Sequence, residues 1–177
     1  MSQKALLVID AQVGLVEVVF SGREKAAVIG TLVGQARSAN VPVLFVQHDS
    51  DEGILQVGSR GWQLHSEIGY REGDLVVRKR ASDAFYQTSL EEELRERDVT
   101  EVIIAGFQTE FCIDTTTRRA TTLGLDVTLV EDAHSSCGNE FLTGEQVIKH
   151  HNLTLNGFGN DEFWIDVQPS AVVSFLA

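Results

Sequence analysis

Basic residues are scarce in this chain: 14 Lys and Arg stand against 26 Asp and Glu, a net charge of −12. That balance lacks the clustered cations with which a protein grips a phosphate backbone or an anionic bilayer, so neither nucleic acid nor membrane is an expected partner. Cysteine is scarcer still. Cys112 and Cys137 form neither a CxxC nor a Cys/His metal spacing, which argues against a structural zinc site and, in a reducing compartment, against a structural disulfide. No apolar run approaches the ~20 residues of a spanning helix, and Met1-Ser2-Gln3-Lys4 enters a strand pattern without a leader-like segment. A cytoplasmic location is the expectation, and on it the sequon Asn152-Leu153-Thr154 is a chance match. Glycine-rich phosphate loops are missing too. The first strand-to-helix turn, Asp10-Ala11-Gln12-Val13-Gly14, has neither GxGxxG nor GxxxxGK, and Gly157-Phe158-Gly159 opens no helix pattern, which disfavours a dinucleotide or phosphate binder. What is present suits one domain over 1–177 with a substantial core, free of internal repeats.

The apolar pattern alternates between strand and helix. Ala5-Leu6-Leu7-Val8-Ile9, Val43-Leu44-Phe45-Val46-Gln47, Asp74-Leu75-Val76-Val77-Arg78, Glu101-Val102-Ile103-Ile104-Ala105 and Asp126-Val127-Thr128-Leu129-Val130 read as strands, most of them apolar enough to be buried on both faces. Helices are expected over 23–40, after Ser89 with Glu92 as a capping box, after Thr109, and over about 143–155. Strand-like pieces at 163–165 and 171–173 close the chain. The reading is a doubly wound three-layer α/β/α domain with a mostly parallel sheet of about six strands. The stretch 50–73, with five glycines, Trp62 and His65, is too long for a plain connection and is expected to be a functional loop or lid.

Ligands of such sheets bind beyond the carboxyl ends of the strands. Here those ends deliver Asp10, His48, Lys79, the 108–112 turn, and Asp132 with His134 to one edge. Cys112, in the first turn of the helix after the fourth strand, is placed where backbone N–H groups and the helix dipole stabilise a thiolate, and a lowered pKa is expected. Lys79 can add its charge, Asp10 can take the thiol proton and later activate water, and the N–H groups of Cys112 and the preceding turn can bind an oxyanion. Each has a plainer role open to it: Cys112 as a small buried hydrophobe, Asp10 as a turn residue, Lys79 as a surface lysine. Trp62, Phe85, Phe107 and Phe111, with Tyr86, are candidate substrate-facing aromatics that core packing also explains. His48 and His134 are candidate polar pocket contacts. Adjacent His150 and His151 point apart on a helix and cannot ligate as a pair.

Leu7-Val8-Ile9-Asp10-Ala11-Gln12, the run from Lys79 through Phe85-Tyr86-Gln87-Thr88 to Leu90, and Gly106-Phe107-Gln108-Thr109-Glu110-Phe111-Cys112-Ile113-Asp114-Thr115-Thr116 resemble the three signature blocks of the isochorismatase-like cysteine hydrolase superfamily, in order and spacing. The resemblance implies a Rossmann-like fold and a triad of Asp10, Lys79 and Cys112 that acts on an amide-type C–N bond through an acyl-enzyme. It also implies a cis peptide between Phe107 and Gln108 that turns the Gln108 N–H into the oxyanion hole, beside the Cys112 N–H; His48, Trp62, Phe85, Phe111 and His134 are the substrate contacts expected from the residues themselves. True isochorismatases generally lack the cysteine, so Cys112 points to an amidase-type member. Nicotinamidases carry an Asp-x-His metal motif, whereas this chain reads Gln47-His48-Asp49-Ser50. No cofactor is expected, although a metal at His48, Asp49 and His65 stays open. Gly58 to His65, with His150-His151-Asn152, resembles the branch containing streptothricin-type lactam hydrolases. The expected partner is a small amide-type substrate, and family members are often homo-oligomers. A thiol-based sensor on the same fold is the rival reading.

Overall fold

Runs too apolar to leave either face to water become the strands of one six-stranded sheet, all of whose pairings are parallel. It is seen in a computed structural model that describes residues 3–176; Met1 and Ser2, where the strand lead-in was expected to begin, lie outside the described residues, as does Ala177. Lys4–Ile9 (β1) and Glu101–Phe107 (β4) form the centre. Val43–His48 (β2) and Val76–Lys79 (β3) extend the sheet on one side, Asp126–Ser135 (β5) and Ile165–Gln168 (β6) on the other. The chain winds outward from β1 to β3, then returns to β4, so β1 and β4 flank the point where the strand order reverses. That point opens a crevice at their carboxyl ends.

The alternation of each strand sends its side chains into two separate cores. Ala5, Leu7 and Ile9 pack with Leu90 and Leu94 of Leu90–Arg95 (α3), Ala120 of Asp114–Thr122 (α4) and Leu155 of Gly144–Leu155 (α5). Leu6 and Val8 pack with Leu15 and Val16 of Val13–Val16 (α1) and with Ala26, Ile29, Leu32, Val33 and Ala36 of Gly22–Ser38 (α2). Each fully buried Leu or Ile contributes about 1.5–3 kcal/mol relative to leaving it exposed, so both layers are held firmly. Asn40, at φ 58°, turns the chain out of α2, and the Val41 N–H closes on the Ala36 carbonyl at 2.8 Å. Among the described residues no helix is long and apolar enough to cross a membrane.

Three local expectations change. Ser89 makes no side-chain cap; the capping box forms instead at Thr143 and Gln146, where hydroxyl and amide reciprocate. The Glu91–Arg95 and Glu93–Arg97 pairs on α3 do form. β5 runs on to Ser135, beyond its apolar run, because a register shift against β4 lets Gly106 pair with His134. Residues 171–173 are a turn and coil, with Val172 N–H on the Pro169 carbonyl. The stretch 50–73 holds two single 3₁₀ turns, Gly53–Leu55 and Ser66–Ile68, and is tied down over α1: the Val13, Gly14 and His65 N–H groups bond Gln63, Gly61 and Ala11 carbonyls.

Candidate active site

The close approach of β1 and β4 depends on Gly106. Its φ is 131°, and a Cβ there would lie 1.8 Å from the Ile9 carbonyl oxygen, so only glycine lets the two strand ends abut. Asp10 follows Ile9 at φ 51°, a left-handed conformation that turns the carboxylate out of strand alternation and over the sheet's edge. Its N–H is fixed to the Val46 carbonyl at 2.8 Å. Lys79 ends β3, where its strand partner is His48 at the end of β2. After β4 the peptide between Phe107 and Gln108 is cis, and the chain enters a single π turn, Thr109–Ile113, before α4. The expected start of an ordinary α-helix at Thr109 is thus replaced by a wider turn that carries Cys112 inward.

These elements converge on the Lys79 ammonium. Its Nζ lies 2.7 Å from Asp10 Oδ2, 2.9 Å from His48 Nδ1, 2.9 Å from the Ala81 carbonyl and 3.1 Å from Cys112 Sγ. Asp10 and Lys79 are buried almost completely. Burial works against the lysine's charge, yet Asp10 and Cys112 outweigh it and hold its pKa above the ordinary value. Besides this ion pair, the Asp10 carboxylate is a hydrogen-bond partner of the Cys112 thiol, which gives the thiol proton an adjacent acceptor. For Cys112 the expectation of a lowered pKa is corrected. Burial first, then the Asp10 carboxylate, push the thiol up to about 12 against the opposing pull of Lys79. The resting arrangement therefore sets a protonated thiol beside the Asp10 carboxylate and the Lys79 ammonium.

His48 belongs to this cluster. Its Nδ1 must accept from the ammonium, which places the proton of the neutral ring on Nε2. Burial, and then Lys79, lower its pKa. Gln12 locks the strand end beneath it: the Gln12 amide accepts from the His48 N–H and donates to the His48 carbonyl, both at 3.0 Å. The same Gln12 Nε2 and the Gln47 amide each donate to the Trp62 carbonyl at 2.8 Å, pinning the 50–73 loop to the site. Sequence reasoning quoted Gln12 yet gave it no role; an amide two residues after the turn aspartate was the signal available.

The remaining candidates separate. Phe111, next to Cys112 in the chain, is 54 % exposed. Trp62 is half-buried; its Nε1 donates to Asp49 Oδ1 at 2.9 Å and its ring lies beneath the Arg78 guanidinium at 4.5 Å. Two candidate contacts are corrected. Phe85, 7 % exposed, packs in the core with Leu90 and Ile113, and Phe107 is likewise buried. His134 is fully buried: its Nδ1 meets the Thr109 hydroxyl at 2.8 Å and its Nε2 the Asn152 carbonyl oxygen at 2.7 Å. Burial pushes its pKa down to about 4, so it is a neutral brace under the π turn, out of reach of a substrate. Around Cys112, the Phe111 and Ile113 N–H groups donate to the Gln108 carbonyl, while the Gln108 N–H meets no acceptor among the described residues.

The residues considered for a metal are not gathered. Asp49 takes both arms of Arg78 at 2.6 Å, and His65 Nδ1 accepts from the Glu67 N–H. Among the described residues, Asp10, His48 and Cys112 are the trio whose ligand atoms fall within 4.8 Å of one another, and the Lys79 ammonium contacts all three. A pocket of about 260 Å³ opens beside β3, with Arg78, Arg80, Tyr86 and Gln87 on its wall. Cys112 does not line it, and 8 % of the cysteine's surface is accessible.

Comparison with known proteins bears on this geometry. The isochorismatase domain model matches residues 4–152. Streptothricin hydrolase of Streptomyces noursei is 34% identical over 137 residues, 75% of this chain and 50% of that protein, so the chain spans about half the length of that relative. Nicotinamidase 3 of Arabidopsis thaliana is 33% identical over 153 residues, 77% of this chain and 75% of that protein. The crystal structure of an isochorismatase from Pseudomonas putida superposes with a TM-score of 0.86 at 26% identity, covering 97% of this chain and 90% of the other.

Proposed function

The chain belongs to the isochorismatase family, and from the geometry of its strand ends we propose that it is a cysteine-dependent hydrolase. It cleaves a C–N bond of a small molecule, in an amide, lactam or ureido group, through an acyl-enzyme on Cys112. The observation that carries the proposal is the single ammonium that touches Asp10, His48 and Cys112 within 3.1 Å. In support, relatives over most of this chain's length are a streptothricin hydrolase and a nicotinamidase by name.

The Asp10 carboxylate, already a hydrogen-bond partner of the thiol, receives the Cys112 proton as sulfur adds to the carbonyl carbon. A thiol held near 12 is a poor spontaneous nucleophile and a good one once its proton has a nearby destination, so reaction waits for substrate. Lys79 offsets the charge that passes from Asp10 to sulfur. The Gln108 and Cys112 N–H groups receive the oxyanion. Asp10 then gives its proton to the departing nitrogen, afterwards takes one from the water that hydrolyses the thioester, and returns it to the Cys112 sulfur as the acid product leaves. Phe111, Trp62 and the Nε2 edge of His48 are the substrate-facing surface, and a homo-oligomer in the cytoplasm is the working form. The rival role of a thiol sensor fits poorly, because oxidation follows thiolate character and exposure and this thiol has little of either.

The test is hydrolysis across a panel of nicotinamide, ureido compounds, lactams and an isochorismate control, for wild type and Cys112→Ala, with and without chelator. One amide turned over with Cys112 acylated in the intact-mass spectrum, and both lost in Cys112→Ala, is the expected result. Activity that survives Cys112→Ala would refute the nucleophile assignment, and loss on chelation would point to a metal instead.

A further inference from the structure

We propose that His48 is a positioning residue that holds the Lys79 ammonium between Asp10 and Cys112, and that it does so only while its ring is neutral. The proposal rests on the reading of Cys112 as the reacting sulfur and Lys79 as its cation.

An ammonium has three N–H bonds, and Lys79 Nζ faces four acceptors at 2.7–3.1 Å. Asp10 is the only full charge among them, so the flexible lysine stem has one strong attractor and would lean toward it, away from sulfur, unless neutral acceptors hold it back. The Ala81 carbonyl and His48 Nδ1 are those acceptors. Ala81 comes from the segment after β3, whereas His48 approaches from β2, directly across the strand pair from Lys79. The His48 backbone that carries the ring is itself fixed, since Gln12 grips its N–H and carbonyl together. The ring therefore acts as a wall with one lone pair aimed at the ammonium.

Protonation of Nδ1 would replace that lone pair with an N–H facing an ammonium 2.9 Å away, and attraction would become repulsion. The charged groups that act on the ring are Lys79 and Arg80, which oppose protonation, and Asp10 and Asp49, which favour it. Asp49 is neutralised by the two-armed Arg78 contact and Asp10 by Lys79, while Arg80 pairs with exposed Asp51, so none of them offers the protonated ring a free partner. Burial adds to the same side. The ring consequently stays neutral through the neutral range and loses its hold on Lys79 only in acid.

The experiment follows alkylation of Cys112 by iodoacetamide, read at the Cys112 peptide by mass spectrometry between pH 5 and 8, in Cys137→Ser protein to remove the second thiol. His48→Leu removes the lone pair. His48→Asn restores an oxygen near the Nδ1 position and does not titrate. The expected result at pH 7.5 is a rate about tenfold lower in His48→Leu and within about threefold of the parent in His48→Asn, because a lone pair rather than ring volume holds the cation. With the thiol held near 12, reactivity falls about tenfold per pH unit in both proteins, and in acid the parent falls more steeply than His48→Asn as its ring takes up a proton. The proposal is overturned if His48→Leu reacts like the parent, if His48→Asn is as slow as His48→Leu while both keep the parent's melting temperature, or if parent and His48→Asn share one acid limb. Alkylation needs no substrate. A lone-pair dependence found in a protein that hydrolyses no amide upholds the positioning role and refutes the hydrolase reading alone.

Discussion

Lys79→Met keeps the length and volume of the side chain and deletes its charge, which makes it a direct probe of the buried cluster. At 2.7 Å and an effective dielectric near 20, the attraction between Asp10 and Lys79 is about 6 kcal/mol, and each ion gave up several kcal/mol of hydration on entering the fold. The pair as a whole is thus close to neutral for stability, whereas half of it is not. The Lys79→Met variant would leave the Asp10 carboxylate almost fully buried without a counterion, a loss of about 3–5 kcal/mol. With a urea m-value of about 2 kcal/mol/M, the unfolding midpoint should fall by about 2 M. Asp10→Asn in the same background should recover most of it, giving a coupling of about 3 kcal/mol in the double-mutant cycle. Acid should also recover part of the loss, as the orphaned carboxylate takes up a proton. In the wild type the sign is different: the Lys79 pKa is raised, so its contribution is complete below about 10.5 and is lost as pH climbs beyond that. A Lys79→Met midpoint within about 0.5 M of wild type, or strictly additive single and double variants, would refute the picture of an interdependent buried pair.

Two further variants test the frame around the site. Gly106→Ala sets a Cβ 1.8 Å from the Ile9 carbonyl at a positive φ; a stability loss of about 3–5 kcal/mol and a melting temperature lower by about 10 °C are expected, and a drop under about 2 °C would contradict the close approach of β1 and β4. His134 has a pKa lowered from 6.5 to about 4 by burial, so the unfolded chain takes up its proton first and stability is full above about pH 6.5 and declines toward pH 4. That decline amounts to about 3 kcal/mol; His134→Asn should be less stable at neutral pH and its urea midpoint should fall less over the same window, and an unchanged slope would show that the ring is not held neutral.

How far the sequence alone could reach is clearest at particular positions. Residues 5–9, 43–47 and 101–105 announce themselves as strands because a continuous apolar run fits only the interior of a covered parallel sheet. Once those three and the 74–78 run are placed, Asp10, Lys79 and Cys112 follow as groups at one edge, and the structure brings them together. β5 outruns its pattern because Glu131-Asp132-Ala133-His134 looks like a strand terminus, and only the register shift against β4 shows that pairing resumes. Phe85 and His134 lie deeper than their sequence context suggests for a related reason: residue type and strand-end position locate a side chain along the chain but not its depth, which packing from distant segments decides. Asn152 reaches His134 from α5, 18 residues away, and no local spacing announces it. Ser89 and Thr143 carry the same kind of capping signal, and only Thr143 uses it; at α3 the Thr88 hydroxyl takes the Leu90 N–H instead.

The cluster of Asp10, His48 and Cys112 also bears on why a lysine, rather than an ion, occupies the centre of this site. Carboxylate, imidazole and sulfur within 4.8 Å are a donor set that a divalent cation would accept. To enter, such an ion would have to displace an ammonium whose side chain is fully buried, with no free carboxylate alongside to receive it, since Asp49 is bound to Arg78. The lysine therefore fills the cationic role with a charge that is covalently tethered and cannot be stripped by a chelator. It also supplies what a divalent ion at the same place would not. An ammonium leaves the Cys112 proton in place until Asp10 can take it, whereas a metal would deprotonate the thiol outright and consume its lone pairs in coordination. On the proposed mechanism, in which Cys112 stays protonated until substrate arrives and then passes its proton to Asp10, Lys79 serves the thiol better than a metal would.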